Sequence, residues 1–200
     1  MSTQPRSLPV SREVIFAFAA LAVVLAVGIL FNAEGQFFNP DNHADALWAV
    51  SGYGILACGM TVVILTAGID LSVGSLVALA GVVFAMCTMS HGVSGWLAVP
   101  LAILVGAACG LLSGILVALL RLQPFIATLA MMAFARGLAK MLTGGVKVQK
   151  LPAPASVEAL NLKFGIAGVD VSVSVFLFLG CVLLTVFFLR ALRIGRYVYA

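Results

Sequence analysis

The long stretch from Leu47 to Leu120 carries a single formally charged residue, Asp70. Its apolar segments are continuous rather than alternating, which indicates membrane-spanning helices and not the strands of a membrane barrel. Charged residues make up only 9% of the 200-residue chain, whereas soluble domains carry about 25%. The sequence therefore predicts an integral membrane protein with an all-α fold, a polytopic bundle of about six transmembrane helices.

Six apolar segments approach or exceed the roughly 20 residues that a membrane-spanning helix needs. The predicted spans are Glu13–Phe31, Ala46–Ala67, Leu71–Met89, Leu97–Leu120, Pro124–Leu142 and Val171–Leu189. Residues 1–12 are predicted to be a cytoplasmic tail, and residues 190–200 a cytoplasmic segment. Residues 143–170 form a polar connection, expected on the periplasmic side, with short extended segments around 146–148 and 164–166. Most basic residues then fall on the inner side, which favours a cytoplasmic N-terminus.

Asp70 is energetically out of place in a membrane-spanning segment. A carboxylate at the centre of such a helix costs about 2.5–3.5 kcal/mol, whereas each Leu, Ile or Val contributes roughly 0.3–0.6 kcal/mol. The residue is therefore expected to serve a specific purpose. Gly68 can turn the backbone, and Asp70 can then cap a new helix by accepting hydrogen bonds from the N–H groups of Ser72 and Val73.

The pattern GIDLSVGS at residues 68–75 predicts a break between two membrane helices near Gly68–Ser72. In transporters, broken helices supply polar contacts to the translocation path, and irregular backbone at membrane depth lies against protein or a water-lined cavity. The alternative is an ordinary helix cap on a short loop at the membrane surface. The candidate path or gate residues are Gly68, Asp70, Ser72, Gly74 and Ser75.

The fourth predicted span contains three glycines at four-residue spacing, Gly106, Gly110 and Gly114. One face of this helix therefore lacks side chains on three successive turns, which predicts close packing against another helix. A partner within the same chain is favoured, and a second copy of the chain is the alternative.

Two basic residues of the fifth span, Arg136 and Lys140, lie one helical turn apart and share a face. Either both side chains extend to the outer headgroups, or Arg136 faces the bundle interior and holds Asp70 or a helix end. The residues alone leave both interpretations open.

Catalytic chemistry is not expected in this chain. No P-loop, zinc-protease pattern, Ser/His/Asp set or Rossmann glycine pattern occurs in the required context. The four cysteines lie in apolar runs without CxxC spacing, so they are predicted to be free thiols rather than disulfides or metal ligands. We therefore expect no metal, no cofactor and no nucleic acid, and the lipid bilayer as the surroundings.

Three stretches carry a resemblance to a known family. Residues 59–78 read GMTVVILTAGIDLSVGSLVA, residues 123–145 read QPFIATLAMMAFARGLAKMLTGG, and residues 193–200 read RIGRYVYA. In this order and spacing they resemble the hallmark segments of the membrane permease subunits of ribose-type bacterial ABC importers, within the branched monosaccharide group.

The resemblance implies a permease that carries a monosaccharide across the bacterial inner membrane, driven by ATP hydrolysed on separate ABC ATPase subunits. It further implies a periplasmic sugar-binding protein and a second permease copy in a homodimer. Asp70 and its neighbours match the family signature, and Arg136 matches its ARGL segment. The residues that match the start of the ATPase-coupling segment are Arg193, Gly195, Arg196 and Tyr197.

Members of that family are longer, so residues 13–200 are expected to form a permease domain that is incomplete at its C-terminus. Two alternatives remain. One is an ion-coupled secondary transporter or channel that uses Asp70 as a proton or cation site. The other is a non-transporting remnant of a permease.

Overall fold

The computed structural model describes residues 12–148, 155–158, 162–166 and 168–198. Most of the predicted tail at residues 1–12 lies outside them, as do several residues of the polar connection. The chain divides into two compact units, residues 1–46 and 47–200. In the first unit, helix α1 (Arg12–Leu30) precedes a 3-10 helix (Ala33–Phe38). The Phe37 ring lies against Gly28, where a Cβ would overlap the ring.

Helix α2 (Pro40–Leu65) begins earlier than the predicted Ala46. The Asn39 side chain accepts a hydrogen bond from the Asp41 N–H at 3.0 Å, and Pro40 takes the first helical position, where its missing N–H is not needed. These polar residues were predicted to form a loop, but they start the helix.

The second unit contains the rest of the bundle. Helix α3 (Val73–Ala85) continues into a π-helical turn (Met86–Ser90), and helices α4 (Gly95–Ala118) and α5 (Pro124–Thr143) follow. Helix α5 begins with Pro124, and it ends at Gly144, which has the left-handed conformation (φ 59°). Proline is favoured at the first position of a helix and glycine just after its last. Its bounds agree with the predicted Pro124–Leu142 to within one residue.

The core of the second unit lies where α3, α4 and α5 pack together. Leu79 of α3 is 1% exposed and inserts among small residues of the neighbouring helices. Alanines on α5 permit this close approach, as small residues commonly do between membrane helices. The buried cluster consists of Leu79, Cys109, Met131, Ala135 and Ala139.

The polar connection after α5 contains a short helix α6 (Ala155–Glu158) and an antiparallel hairpin. Strand β1 (Lys163–Ile166) pairs with β2 (Val169–Ser172), which confirms the extended segment predicted around 164–166. The segment predicted around 146–148 does not form a strand. The Ser172 side chain then caps helix α7 (Val173–Ala191) by accepting from the Ser174 N–H at 3.3 Å.

Within the described residues, five helices are long and apolar enough to cross a membrane: Pro40–Leu65, Val73–Ser90, Gly95–Ala118, Pro124–Thr143 and Val173–Ala191. Helix α1 adds the shorter apolar run Val14–Leu30, about 25 Å long at the usual helical rise. Many large apolar side chains of these helices are exposed, as expected for surfaces that face lipid. The predicted fold class, a helical membrane bundle, is confirmed.

Candidate functional site: a helix break held by α5

The chain is interrupted between α2 and α3, where the sequence predicts it. Helix α2 ends at Leu65 and α3 begins at Val73, so residues 66–72 form an irregular connection. There is no single helix through residues 59–89, and Asp70 lies in the connection.

The turn that ends α2 is made by Ala67 and not by Gly68, contrary to the expectation from sequence. Ala67 has a φ of 55°, a left-handed conformation that glycine adopts more readily than alanine. Gly68 serves close packing, since a Cβ there would lie 3.2 Å from both Cγ1 and the backbone oxygen of Val63. The Gly68 N–H donates to that same oxygen at 3.0 Å.

Asp70 closes the turn that precedes α3. Its Oδ1 accepts hydrogen bonds from the Ser72 N–H at 2.7 Å and from the Ser72 Oγ at 2.6 Å. The predicted bond from Val73 is not formed, because Ser72 occupies the N-cap position and Asp70 lies two residues before it. The carboxylate therefore forms a local turn of the kind that Asp side chains favour.

Helix α5 contacts the chain on both sides of this turn. Thr128 Oγ1 lies 3.2 Å from the backbone oxygen of Ile69 and 2.9 Å from the Pro124 oxygen in its own helix, and its single hydroxyl proton is shared between these acceptors. Further along α5, Arg136 Nε donates to Ser75 Oγ at 3.1 Å. We call Asp70, Ser72, Ser75, Thr128 and Arg136 the break cluster.

The spacing of these contacts indicates the depth of the break. Thr128 and Arg136 lie about 12 Å apart along the axis of α5. Arg136 is just past the middle of this 20-residue helix, yet it contacts Ser75 in the first turn of α3. Helix α3 therefore starts alongside the middle of α5, which favours a break inside the bundle over a loop at its end.

The break cluster contains one acidic and one basic side chain, so its formal charges cancel. Asp70 precedes the start of α3, where the helix dipole favours a negative charge. Arg136 contacts the first turn of the same helix, where the dipole disfavours a positive charge. Arg136 is exposed, and its Nε–H donates to Ser75 rather than to Asp70. The interpretation in which Arg136 holds a helix end stays a prediction.

The predicted path residues differ in exposure. Ser72 and Ser75 are 0% and 2% exposed, whereas Gly68 and Asp70 are half-buried and Gly74 is exposed. A Cβ at Gly74 would meet no heavy atom within 4 Å. The structure thus joins Asp70 to Ser72 and Ser75 to Arg136, while Gly74 lies on the open side of α3.

Thr128 is a member of the break cluster that the sequence interpretation missed. Thr128 is 5% exposed, and its hydroxyl contacts the irregular backbone at Ile69. The sequence contained a signal for this residue, because Thr128 lies in the PFIATL stretch. That stretch and the GIDLSVGS stretch both carry the resemblance to the permease family.

The glycine face of α4 does not pack against another helix within the described chain. A Cβ at Gly106, Gly110 or Gly114 would meet no described heavy atom within 4 Å. The predicted close packing of these glycines against a helix of the same chain stays a prediction. The buried residues of α4 include Cys109 and Ser113, which lie beside the glycine face, since Ser113 is seven residues from Gly106.

The predicted coupling segment forms the short helix α8 (Arg193–Tyr197) after α7. A Cβ on Gly195 would overlap the Phe188 backbone oxygen, so only glycine allows α8 to lie this close to the end of α7. Arg193 is exposed, and Tyr197 is 78% exposed. The side chain of Arg196 lies outside the described part of the chain.

Comparison with known proteins identifies the class. A family described as the permease component of the branched-chain amino acid transport system matches residues 42–200. The matched region includes the break cluster and α8. The chain belongs to this family of membrane permease components and is a multi-pass membrane protein.

Among curated relatives, the ribose import permease of Escherichia coli strain K12 is 39% identical over 186 residues, which are 90% of this chain and 56% of the relative. The fructose import permease of Rhizobium meliloti is 36% identical over 88% of this chain and 49% of the relative. An inner membrane ABC transporter permease of Escherichia coli strain K12 is 38% identical over 74% of this chain and 44% of the relative. The chain thus spans about half the length of these relatives, and no solved structure matches it significantly.

Proposed function

We propose that this chain acts as the membrane permease subunit of an ATP-driven ABC importer that carries a monosaccharide across the bacterial inner membrane. The observation that carries the proposal is the helix break at residues 66–72, held on both sides by α5, inside the region that matches a permease family. A polar break of this kind at membrane depth suits a solute path, because lipid cannot satisfy irregular backbone.

A sugar is the proposed substrate, although the family description refers to branched-chain amino acids. The relatives named above that specify a substrate are import permeases for ribose and fructose. Within the described residues, the break cluster presents the half-buried carboxylate of Asp70 and the exposed guanidinium of Arg136, and these side chains can hydrogen-bond sugar hydroxyls.

The proposed partners are ABC ATPase subunits on the cytoplasmic side, a periplasmic sugar-binding protein, and a second permease copy. The exposed side chains of Arg193 and Tyr197 on α8 support an ATPase contact there. In this arrangement the N-terminus is cytoplasmic and residues 143–170 are periplasmic. ATP hydrolysis takes place on the partner chains.

In the proposed cycle, the ATPases move α8 and thereby shift the helices between outward-open and inward-open states. Because Thr128 and Arg136 hold Ile69 and Ser75, respectively, α5 and the start of α3 move together. Gly68, Asp70, Ser72, Gly74 and Ser75 then form the part of the path that opens and closes.

An ion-coupled transporter is less well supported. A cation site usually needs several oxygen ligands, and Asp70 Oδ1 already accepts two hydrogen bonds from Ser72. No group of three or more His, Cys, Asp or Glu residues suited to a metal ion occurs among the residues described.

The test is uptake of radiolabelled ribose, fructose and leucine by cells that lack their own permeases and express this chain with the ATPase and binding protein from its gene neighbourhood. Sugar uptake that stops when the ATPase is inactivated is the expected result. Uptake of leucine alone would contradict the substrate class. Uptake that survives loss of the ATPase but stops when the ion gradient is collapsed would contradict the ATP-driven mechanism.

A further inference from the structure

A cavity of about 420 Å³ lies between α3, the last turns of α5 and the turn that follows α5. It is separate from the break cluster and about one helical turn beyond Arg136. Its apolar wall comes from α3 and its polar rim from α5 and residues 143–148. The lining residues relevant here are Ala78, Gly81, Val82, Ala85, Lys140 and Lys147.

The charges of this cavity all have one sign. Among the described residues, Lys140 and Lys147 line it, and no acidic side chain does so. Both lysines are exposed. The structure therefore presents two cationic groups at one rim of an otherwise apolar and small-residue cavity.

The position of the lysines places this rim at the membrane interface. Lys140 is in the last turn of α5, and Lys147 follows the left-handed residues Gly144 and Gly145 that end the helix. Lysines at the ends of membrane helices extend toward the headgroups. The wall of α3 is open, since a Cβ at Gly81 would meet no heavy atom within 4 Å.

We propose that this cavity is a binding site for an anionic phospholipid. The lipid phosphate lies between the ammonium groups of Lys140 and Lys147, and one acyl chain lies along α3 over Ala78, Gly81 and Ala85. Charge complementarity selects this occupant, because the two ammonium groups attract a phosphate anion. The small apolar residues of α3 offer a surface on which an acyl chain can lie. The site does not depend on which solute the protein transports.

The test is native mass spectrometry of the purified chain, with phosphatidylglycerol and phosphatidylcholine offered together at equal concentration. We expect preferential retention of phosphatidylglycerol. Each lysine near a lipid surface contributes enough attraction for an affinity change of about five-fold. Lys147→Gln should therefore reduce the preference about five-fold, and the Lys140→Gln/Lys147→Gln double variant by about twenty-fold or more.

Lys163→Gln is the matched control, because Lys163 is an exposed lysine on β1 that does not line the cavity. It should leave the preference within two-fold. Gly81→Leu fills the cavity without removing charge and should reduce retention of both lipids.

Lys147 lies outside the helices, so its single variant remains informative if the double variant fails to fold, which circular dichroism would reveal. An unchanged lipid preference in Lys147→Gln would overturn the proposal. An equal loss in Lys163→Gln would also overturn it.

Discussion

Arg136 in the middle of α5 donates a hydrogen bond to Ser75 in the first turn of α3, with Nε and Oγ 3.1 Å apart. The two residues belong to different helices and to different stretches among those that carry the family resemblance. Together with the contact from Thr128 to Ile69, the bond connects α5 to the chain on both sides of Asp70. The proposed joint movement of α5 and the break depends on these two contacts.

Replacing Ser75 by alanine should weaken this attachment. The variant removes the acceptor and leaves the Arg136 Nε–H without its partner. Side-chain hydrogen bonds between membrane helices contribute about 0.6 kcal/mol on average and up to about 1.7 kcal/mol. We expect the free energy of unfolding in mixed micelles to fall by about 1 kcal/mol. Ser90→Ala is the control, because Ser90 is exposed at the end of the π-helical turn, and equal effects of both variants would contradict the assignment.

Asp70→Asn and Asp70→Ala distinguish two contributions of Asp70: its hydrogen bonds in the turn and its negative charge. Asparagine retains an oxygen that can accept from the Ser72 N–H and Oγ, whereas alanine removes the acceptor. If the turn is the main contribution of Asp70, sugar uptake should fall at least ten-fold in Asp70→Ala and less than three-fold in Asp70→Asn. Immunoblots of membrane fractions should show equal insertion of both variants.

Unchanged uptake in Asp70→Ala would reject a functional role for the carboxylate. An equal and large loss in both variants would instead assign the effect to the negative charge.

Ala67 and Gly68 should respond in opposite ways to exchange of glycine and alanine. Ala67→Gly relieves the left-handed strain at φ 55° and should raise the free energy of unfolding by about 1 kcal/mol. Gly68→Ala places a methyl group 3.2 Å from Val63 Cγ1 and should lower it by about 1 kcal/mol. Denaturant titration of both variants measures these free energies of unfolding. A lower value for Ala67→Gly together with a higher value for Gly68→Ala would contradict the assignment of the turn to Ala67.

Gly195→Ala should separate membrane insertion from ATPase association. The added methyl group would overlap the Phe188 backbone oxygen, so α8 cannot keep its position at the end of α7. We expect the variant to insert normally but to co-purify with less than a fifth of the ATPase bound by the unmodified chain. Gly110→Ala should have no effect, because a Cβ there meets no described heavy atom within 4 Å. Full ATPase binding by Gly195→Ala would contradict the proposed role of α8.

Local signals made parts of this structure predictable. Pro124 and Gly144 specify the two ends of α5, and Asp70 indicates the break because a carboxylate is costly in a membrane helix. The left-handed turn at Ala67 was not predictable, since Gly68 alongside it has the lower intrinsic cost. The choice between them depends on how closely Gly68 packs against Val63, which is a matter of three-dimensional contact.

Long-range relationships were harder to obtain from the sequence. The contact between Arg136 and Ser75 depends on where α3 starts relative to α5, and periodicity within either helix does not contain this information. The glycine spacing in α4 indicates a surface capable of close packing, but it does not identify a partner. The structure shows that the described chain does not cover it.

The most direct test of the central claim measures water access at the break during transport. Gly74→Cys is suitable because the position is open, and Ile103→Cys on α4 is the control, since Ile103 is 65% exposed on an apolar helix. Both are made in a variant whose native cysteines, Cys58, Cys87, Cys109 and Cys181, are replaced by alanine. The rate of reaction with a charged thiol reagent is measured in the assembled transporter, with and without ATP. We expect Gly74→Cys to react at least ten-fold faster than Ile103→Cys, at a rate that changes several-fold with ATP; equal rates that ATP does not alter would contradict a path through the break.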